Sequence, residues 1–300
     1  MNSFKNEKGY LELLQDVINN GENKNTRNGN VISSFGKSIY FYNINIEFPL
    51  LTTKKMFLKG IIEELLWFLR GSTNAKELQK KGVKIWDGNS SREYLDSIGL
   101  TNYDEGELGP VYGWQWRNFG KSYPPNNENT DDNGFDQIKY VIEELLKSEN
   151  SRRAVLSAWN PSQLSQMALP PCHILYSFYK NSKGLYCSMS MRSSDLFLGL
   201  PFNIASTAIF TFIIAKVLHI NPYGICLNLT DAHIYEEHIN AVNQQLENMI
   251  NTPPSFEITK EAPPIESSVE EKINWITSLT FDDFVLHNYE SAGTIKAPMK

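Results

Sequence analysis

Leu169-Pro170-Pro171-Cys172-His173 sets a potential nucleophile beside a histidine, and Met191-Arg192-Ser193-Ser194-Asp195 and Gly199-Leu200-Pro201-Phe202-Asn203 follow soon after. A thiol attacks as its thiolate, and a nearby cation such as Arg192 lowers its pKa. Thiol, imidazole, guanidinium, carboxylate and carboxamide in one stretch are an enzyme-like set. Three cysteines compete for the nucleophile's role, and a free cysteine is ordinarily a small buried hydrophobe. Cys187 and Cys226 fit that ordinary reading. Cys172 does not, because two prolines hold the chain extended before it and a histidine follows.

His233 and Tyr235 lie two apart after a strand, so in extended chain both point the same way and can donate to one hydroxyl. A structural histidine is the plain alternative. His233 and His238 do not form an H-E-x-x-H pair, and the cysteines lack C-x-x-C spacing, so no metal site is expected. For Arg27, Arg152, Arg153 and Arg192 the plain reading is surface ion pairs. Adjacent Arg152 and Arg153 lead directly into a strand, however, where a fork of donors can grip a phosphate. Ile85-Trp86 and Tyr112-Gly113-Trp114 are either aromatic core or a flat platform for a ring-shaped cofactor.

The elements that must position these groups follow from periodicity. Tyr10, Leu11, Leu13, Leu14, Val17 and Ile18 predict a first helix that stops at Asn19-Asn20-Gly21. Val31 to Asn43, broken at Phe35-Gly36-Lys37, reads as a hairpin, and Met56 to Leu69 as a largely buried helix. Glu63 and Glu64 interrupt the apolar surface of that helix, and a buried carboxylate there needs a partner or a task. Gly88 to Glu107 and Lys121 to Gly134 read as polar surface insertions. Strands are expected at Ala154 to Trp159, His173 to Tyr179 and Leu185 to Arg192, the last with Cys187 on an apolar face and Arg192 on a polar one. Phe202 to Leu218 reads as a buried helix, Ile225 to Leu229 as a strand, and Glu236 to Met249 as a last amphipathic helix.

Composition bounds the function. With 300 residues and a net charge of -6, the chain is long enough for a sizeable core and too acidic for non-specific nucleic-acid binding. An arginine cluster can still hold a small anion. The N-terminus lacks the apolar core of a signal peptide, and the longest apolar run, Ala208 to Ala215, is far below the roughly 20 residues that span a bilayer. The expectation is an intracellular, cytoplasmic protein with reduced thiols.

Several segments match one family in order: Phe48 to Lys55, Glu64-Leu65-Leu66-Trp67-Phe68, Ile85-Trp86-Asp87, Leu108 to Gly113, Ser151-Arg152-Arg153, the cysteine motif, Arg192 to Asp195, Gly199 to Ser206, and Asp231-Ala232-His233-Ile234-Tyr235. By these the chain resembles thymidylate synthase over nearly its whole length. The resemblance implies one α/β domain over residues 1–300, with a large mixed β-sheet flanked by helices and sheets packing at a homodimer interface. It also implies reductive methylation of dUMP to dTMP, with methylenetetrahydrofolate as carbon donor and reductant, and no metal.

The same resemblance assigns roles. Cys172 would add to the uracil ring, and Arg192 would stabilise the thiolate and bind phosphate with Arg27, Ser193 and a second subunit's Arg152 and Arg153. Asn203 would read uracil, and His233 and Tyr235 would hold the sugar hydroxyl. Glu64, through water with His173, and Tyr112 would move protons at the ring. Asp195 would bind the pterin, with Ile85, Trp86, Leu198, Gly199, Phe202 and Met299 on the folate side.

The chain also departs from the family pattern. Met191 replaces a glutamine, Thr230 replaces a glycine, and the arginine loop from Arg27 to Gly36 is one residue short. The altered tail would place Met299 as an apolar lid, with the Lys300 carboxylate closing over the folate. A deoxyuridylate hydroxymethylase, in which water replaces hydride, is the main rival. A deoxycytidylate hydroxymethylase and an inactive nucleotide- or RNA-binding relative are further ones.

Overall fold

Tyr10, Leu13, Leu14 and Val17 share one buried helical face, which makes α1 (Asn6–Asn20) where the periodicity places it. Gly21 ends it by donating its N–H to the Val17 carbonyl at 2.9 Å. The computed structural model describes residues 4–124, 133–148 and 150–299. Its helices continue with α2 (Leu58–Leu69), α3 (Lys76–Gln79), α4 (Asp87–Ser90), α5 (Arg92–Ser97), α6 (Tyr112–Asn118), α7 (Gln137–Lys147), α8 (Gly199–Val217), α9 (Ile239–Leu246) and α10 (Val269–Thr277). The strands are β1 (Phe4–Lys5), β2 (Glu22–Thr26), β3 (Gly29–Tyr42), β4 (Val155–Ser157), β5 (His173–Asn181), β6 (Gly184–Met191), β7 (Ser194–Asp195), β8 (Pro222–Tyr235), β9 (Ser255–Ile258) and β10 (Phe284–His287).

Eight strands form one mixed sheet in the order β1-β3-β8-β6-β5-β4, with β2 added on β3 and β7 on β8; β9 and β10 pair separately. β8 is its axis, antiparallel to β3 and parallel to β6 and β7. The parallel step from β6 to β8 requires a crossover, and α8 supplies it. This helix is apolar on nearly every side, which suits only a position inside the core. By length and composition it is apolar enough to cross a membrane, yet 78% of that window is buried within the protein.

Among the described residues, the sheet is covered on one face only. Leu185, Cys187, Met189 and Met191 of β6 and Ile225, Leu227 and Leu229 of β8 point into the core. On the opposite face Ser38 donates to Asn228 at 2.9 Å and Asn228 to Ser188 at 3.0 Å. Tyr186 there packs on Tyr179 and Tyr223 at 5.7 and 5.1 Å between ring centroids.

Four expectations need correction. Phe35-Gly36-Lys37 does not break β3: Gly36 takes a φ of +69°, and the register runs unshifted from Phe35↔Asp231 to Lys37↔Leu229. The hairpin turn lies instead at Arg27-Asn28, closed by Thr26 against Gly29. The strand expected at Ile225 to Leu229 runs on to Tyr235, so His233 and Tyr235 stand within it. Glu236 to Met249 splits into a 3₁₀ turn and α9, and α10 follows later, started by a Ser268/Glu271 capping box that was a readable signal. The stretch Gly88 to Glu107 is no mere surface insertion, because Leu95, Leu100 and Tyr103 anchor it in the core. Of the stretch Lys121 to Gly134, residues 125–132 lie outside those described.

Between Leu50 and α2 the chain is irregular, and Glu7 of α1 satisfies part of its backbone. The Glu7 carboxylate accepts from Thr52 N at 2.7 Å, Thr52 Oγ1 at 2.8 Å and Thr53 N at 2.7 Å, all buried. Removing such an acceptor leaves buried donors without a partner. Glu7→Ala should lower stability in urea unfolding by roughly 3 kcal/mol, and Glu7→Gln by less; a loss below about 1 kcal/mol in the alanine variant would show that this carboxylate is not an anchor.

Candidate active site

Arg192 explains the two prolines before Cys172. Its Nε donates to the Pro171 carbonyl at 2.8 Å and its Nη2 to the Pro170 carbonyl at 2.9 Å. Prolines have no N–H, so their carbonyls are available to a side chain while the chain stays extended. The Arg192 N–H also donates to the Cys172 carbonyl at 2.9 Å, and the Cys172 N–H donates to the Tyr112 hydroxyl at 2.7 Å. The thiol is thus fixed from both sides, with Sγ 3.9 Å from Arg192 Nη2. Burial nevertheless pushes the thiol above its ordinary value, with Arg192 and Tyr112 pulling against it. Arg192 thus lowers the thiol as expected, but within the single chain burial outweighs it.

Behind the cysteine lies a layer of buried rings. His173 is 7% exposed and stacks on Tyr112 with centroids 4.0 Å apart. Burial lowers its pKa to about 3, so it is neutral. Tyr112 is pushed up by burial and by the neighbouring Cys172. Glu64, on α2, accepts from Trp86 Nε1 at 2.7 Å. Burial raises its carboxyl to about 7, with the Trp86 bond opposing, which suits a group that takes and returns a proton near neutrality. The other carboxylate of that helix, Glu63, faces Lys81 instead.

Strand register gathers the rest. β7 pairs with β8 so that Asp195 stands beside His233 and Ser194 beside Ala232. Asp195 Oδ1 accepts from Phe197 N at 2.9 Å and Leu198 N at 3.2 Å, fixing the turn into α8. A Cβ on Gly199 would lie 3.6 Å from the Asp195 Cβ and 3.9 Å from Asn203 Oδ1, so these three are neighbours. Lys54, 5% exposed, donates to the Phe197 carbonyl and lies 3.8 Å from the centre of its ring. Burial lowers that lysine to about 7 against the pull of Asp195. His233 and Tyr235 share a face, with ring centroids 5.3 Å apart.

A cavity of about 720 Å³ opens between these elements, lined by Arg27 at the hairpin turn, Cys172, Arg192, Ser193, Asp195, His233 and Tyr235. Asn89, Tyr94, Ser97 and Ile98 form its other wall. Sequence reading missed that wall, although Tyr94, Ser97 and Ile98 carry helical one-face spacing. It also passed over Asp231, whose Oδ1 lies 2.9 Å from His233 Nδ1 and whose pKa that bond lowers. Period two along β8 was the available signal. Ile85, Leu198 and Phe202 are half-buried against the core, and Trp86 is buried within it. Arg152 and Arg153 are exposed ahead of edge strand β4 and do not line this cavity. Met299 does not pack as a lid: it is 70% exposed, and the preceding Pro298 carbonyl is held by His238 Nε2 at 2.8 Å. Lys300 lies outside the described residues. Among the described residues no group of three or more His, Cys, Asp and Glu side chains is placed to hold a metal.

The raised Glu64 carboxyl has a stability consequence with a definite sign. Its pKa is higher folded than unfolded, so nothing is lost below about 4.5, and stability falls as pH rises through about 7. The difference corresponds to about 3 kcal/mol. Glu64→Gln should therefore gain on the wild type by about that amount between pH 5 and pH 8 in urea unfolding. Parallel curves for the two proteins would show an unshifted carboxyl.

The thymidylate synthase family model matches residues 8–300. A putative bifunctional dihydrofolate reductase-thymidylate synthase of Oryza sativa subsp. japonica is 46% identical over 97% of this chain and 56% of its own length. The bifunctional dihydrofolate reductase-thymidylate synthase 1 of Arabidopsis thaliana is 48% identical over 97% of this chain and 54% of its own. The chain therefore spans about half the length of these bifunctional relatives. The Homo sapiens thymidylate synthase is 43% identical over 97% of this chain and 89% of its own length. Matched over nearly its whole length and carrying the half-buried cysteine-arginine pair in the lining of one cavity, the chain belongs to the thymidylate synthase family.

Proposed function

We propose that this chain methylates dUMP to dTMP, using methylenetetrahydrofolate as carbon donor and reductant and releasing dihydrofolate. The observation that carries this reading is the cavity in which Cys172, Arg192, Arg27, Ser193, His233, Tyr235 and Asp195 meet. An anion end, a sugar-hydroxyl end and a nucleophile between them match a nucleoside monophosphate.

In this reading the Cys172 thiolate adds to the uracil carbon beside the one to be methylated, forming a C–S bond and an enolate. The enolate attacks the folate methylene. Glu64 then serves removal of the ring proton, through water shared with His173, and Tyr112 assists at the same place. Loss of that proton breaks the bond between the methylene carbon and the folate nitrogen, leaving tetrahydrofolate and an exocyclic methylene; hydride transfer from tetrahydrofolate to that methylene and breaking of the C–S bond, which frees Cys172, give dTMP and dihydrofolate. Asn203 reads uracil with one donor and one acceptor. Asp195 and Gly199 meet the pterin, while Ile85, Trp86, Leu198 and Phe202 shield the folate from water. Burial holds the thiol protonated in the single chain, so phosphate-binding arginines beyond Arg192 add the positive charge that favours the thiolate.

Those arginines imply a homodimer. Arg152 and Arg153 are exposed beside edge strand β4, away from their own chain's cavity. The uncovered sheet face, with its serine-asparagine ladder and tyrosine cluster, is the surface on which a second copy would pack. Three free thiols suit a reducing, cytoplasmic setting.

Incubation with dUMP and methylenetetrahydrofolate should release dTMP and dihydrofolate in equal amounts; hydroxymethyl-dUMP without dihydrofolate would establish the hydroxymethylase instead. Cys172→Ser should abolish turnover while dUMP still binds, and normal turnover would remove Cys172 from the mechanism. Mixing Arg152→Ala with Cys172→Ser chains should restore roughly a quarter of wild-type activity, since half the dimers then hold one intact site. An active monomer in ultracentrifugation would exclude shared sites.

A further inference from the structure

Tyr176 is three residues from His173, and in a regular strand residues three apart face opposite sides. Here they face the same side. The β5–β6 register shifts between His173 and Leu175, with His173 opposite Met191 and Leu175 opposite Ser190, so one extra residue is accommodated at Ile174. Such a bulge inverts the side-chain alternation beyond it. Its result is a buried hydrogen bond of 3.0 Å between the Tyr176 hydroxyl and His173 Nδ1.

The direction of that bond follows from the chemistry of its partners. Burial keeps the imidazole neutral and the Tyr176 phenol protonated. A neutral imidazole has one bare nitrogen, a far stronger acceptor than a phenol oxygen, so the phenol donates and Nδ1 accepts. The imidazole proton is then on Nε2.

We propose that Tyr176 is a positioning residue whose hydroxyl holds His173 in the single tautomer with a bare Nδ1 and a protonated Nε2. Resting on the function proposed above, this gives the water between His173 and Glu64 a donor on the histidine side, so that its own hydrogen is directed at the Glu64 carboxylate. The strand bulge exists, in this view, to deliver that hydroxyl.

The test is nitrogen NMR of enzyme carrying ¹⁵N-labelled histidine, with His173→Gln used to assign the His173 signals among the five histidines. In the wild type, Nδ1 should show the bare-nitrogen shift and Nε2 the protonated one. In Tyr176→Phe both signals should move toward the average of two tautomers. The ring still packs on Trp116 and Phe210 at 5.4 and 5.7 Å, so the thermal midpoint checks that the fold is kept. Turnover should fall about tenfold with little change in KM for dUMP. A protonated Nδ1 in the wild type, or the same nitrogen pattern in Tyr176→Phe, overturns the proposal, and the first needs no variant to fold. If the chain makes no dTMP, the functional reading fails on its own, and the nitrogen shifts still decide the role of Tyr176.

Discussion

A stretch of chain without regular structure must find partners for every backbone group it buries, and the segment from Leu51 to Met56 meets that demand by drawing distant parts of the protein together. Thr52 and Thr53 are met by Glu7 of α1, Gln245 of α9 donates to Thr53 Oγ1 at 2.9 Å, and Asn248 to the Thr53 carbonyl at 2.9 Å. The Ala292 N–H bonds the Thr52 carbonyl, and the Lys55 N–H bonds the Gly293 carbonyl. Tyr289 closes the junction through the Leu51 carbonyl at 2.8 Å. Both ends of the described chain therefore depend on one irregular segment. Lys54, in its middle, reaches from that junction to the Phe197 carbonyl and so to the Asp195 turn. A change in the segment would be felt in the cavity.

Around the cavity, burial dominates the ionisable groups and drives each toward its neutral form. The Glu64 carboxyl is raised, the His173 imidazole and Lys54 ammonium are lowered, and the Cys172 thiol is raised. Groups so placed exchange protons with little reorganisation, because no charge has to be stripped of water at the moment of reaction. The cost is that the thiol is not an anion by default. In the function proposed above, arginines gathered around a bound phosphate would answer that cost, since each added cation acts on the one group whose ionised form the chemistry needs.

Much of the site was legible in the chain itself. Cys172 stood out because prolines and a histidine surround it, and the prolines prove to be the acceptors for Arg192. His233 and Tyr235 were legible from period two. The hairpin turn at Arg27-Asn28 was legible but not read: Asn28-Gly29 is a strong turn dipeptide, whereas Gly36, with a φ of +69°, lies inside an unshifted ladder. The wall formed by Asn89 and Tyr94 was hidden by its polar composition, which reads as loop until Leu95, Leu100 and Tyr103 are seen in the core.

The sequence by itself determined the chemistry: residue types around Cys172, the apolar α8, the alternation of β6 and the order of family segments depend on local spacing alone. Only the tertiary structure decided the electrostatics and the alignments. Whether Cys172 is held as thiol or thiolate depends on burial summed over distant elements, which no local pattern records. That Asp195 stands beside His233 depends on strand register, and that Tyr176 meets His173 depends on a one-residue bulge. A single residue of slip changes which face a side chain occupies, so such pairings are set by the fold as a whole.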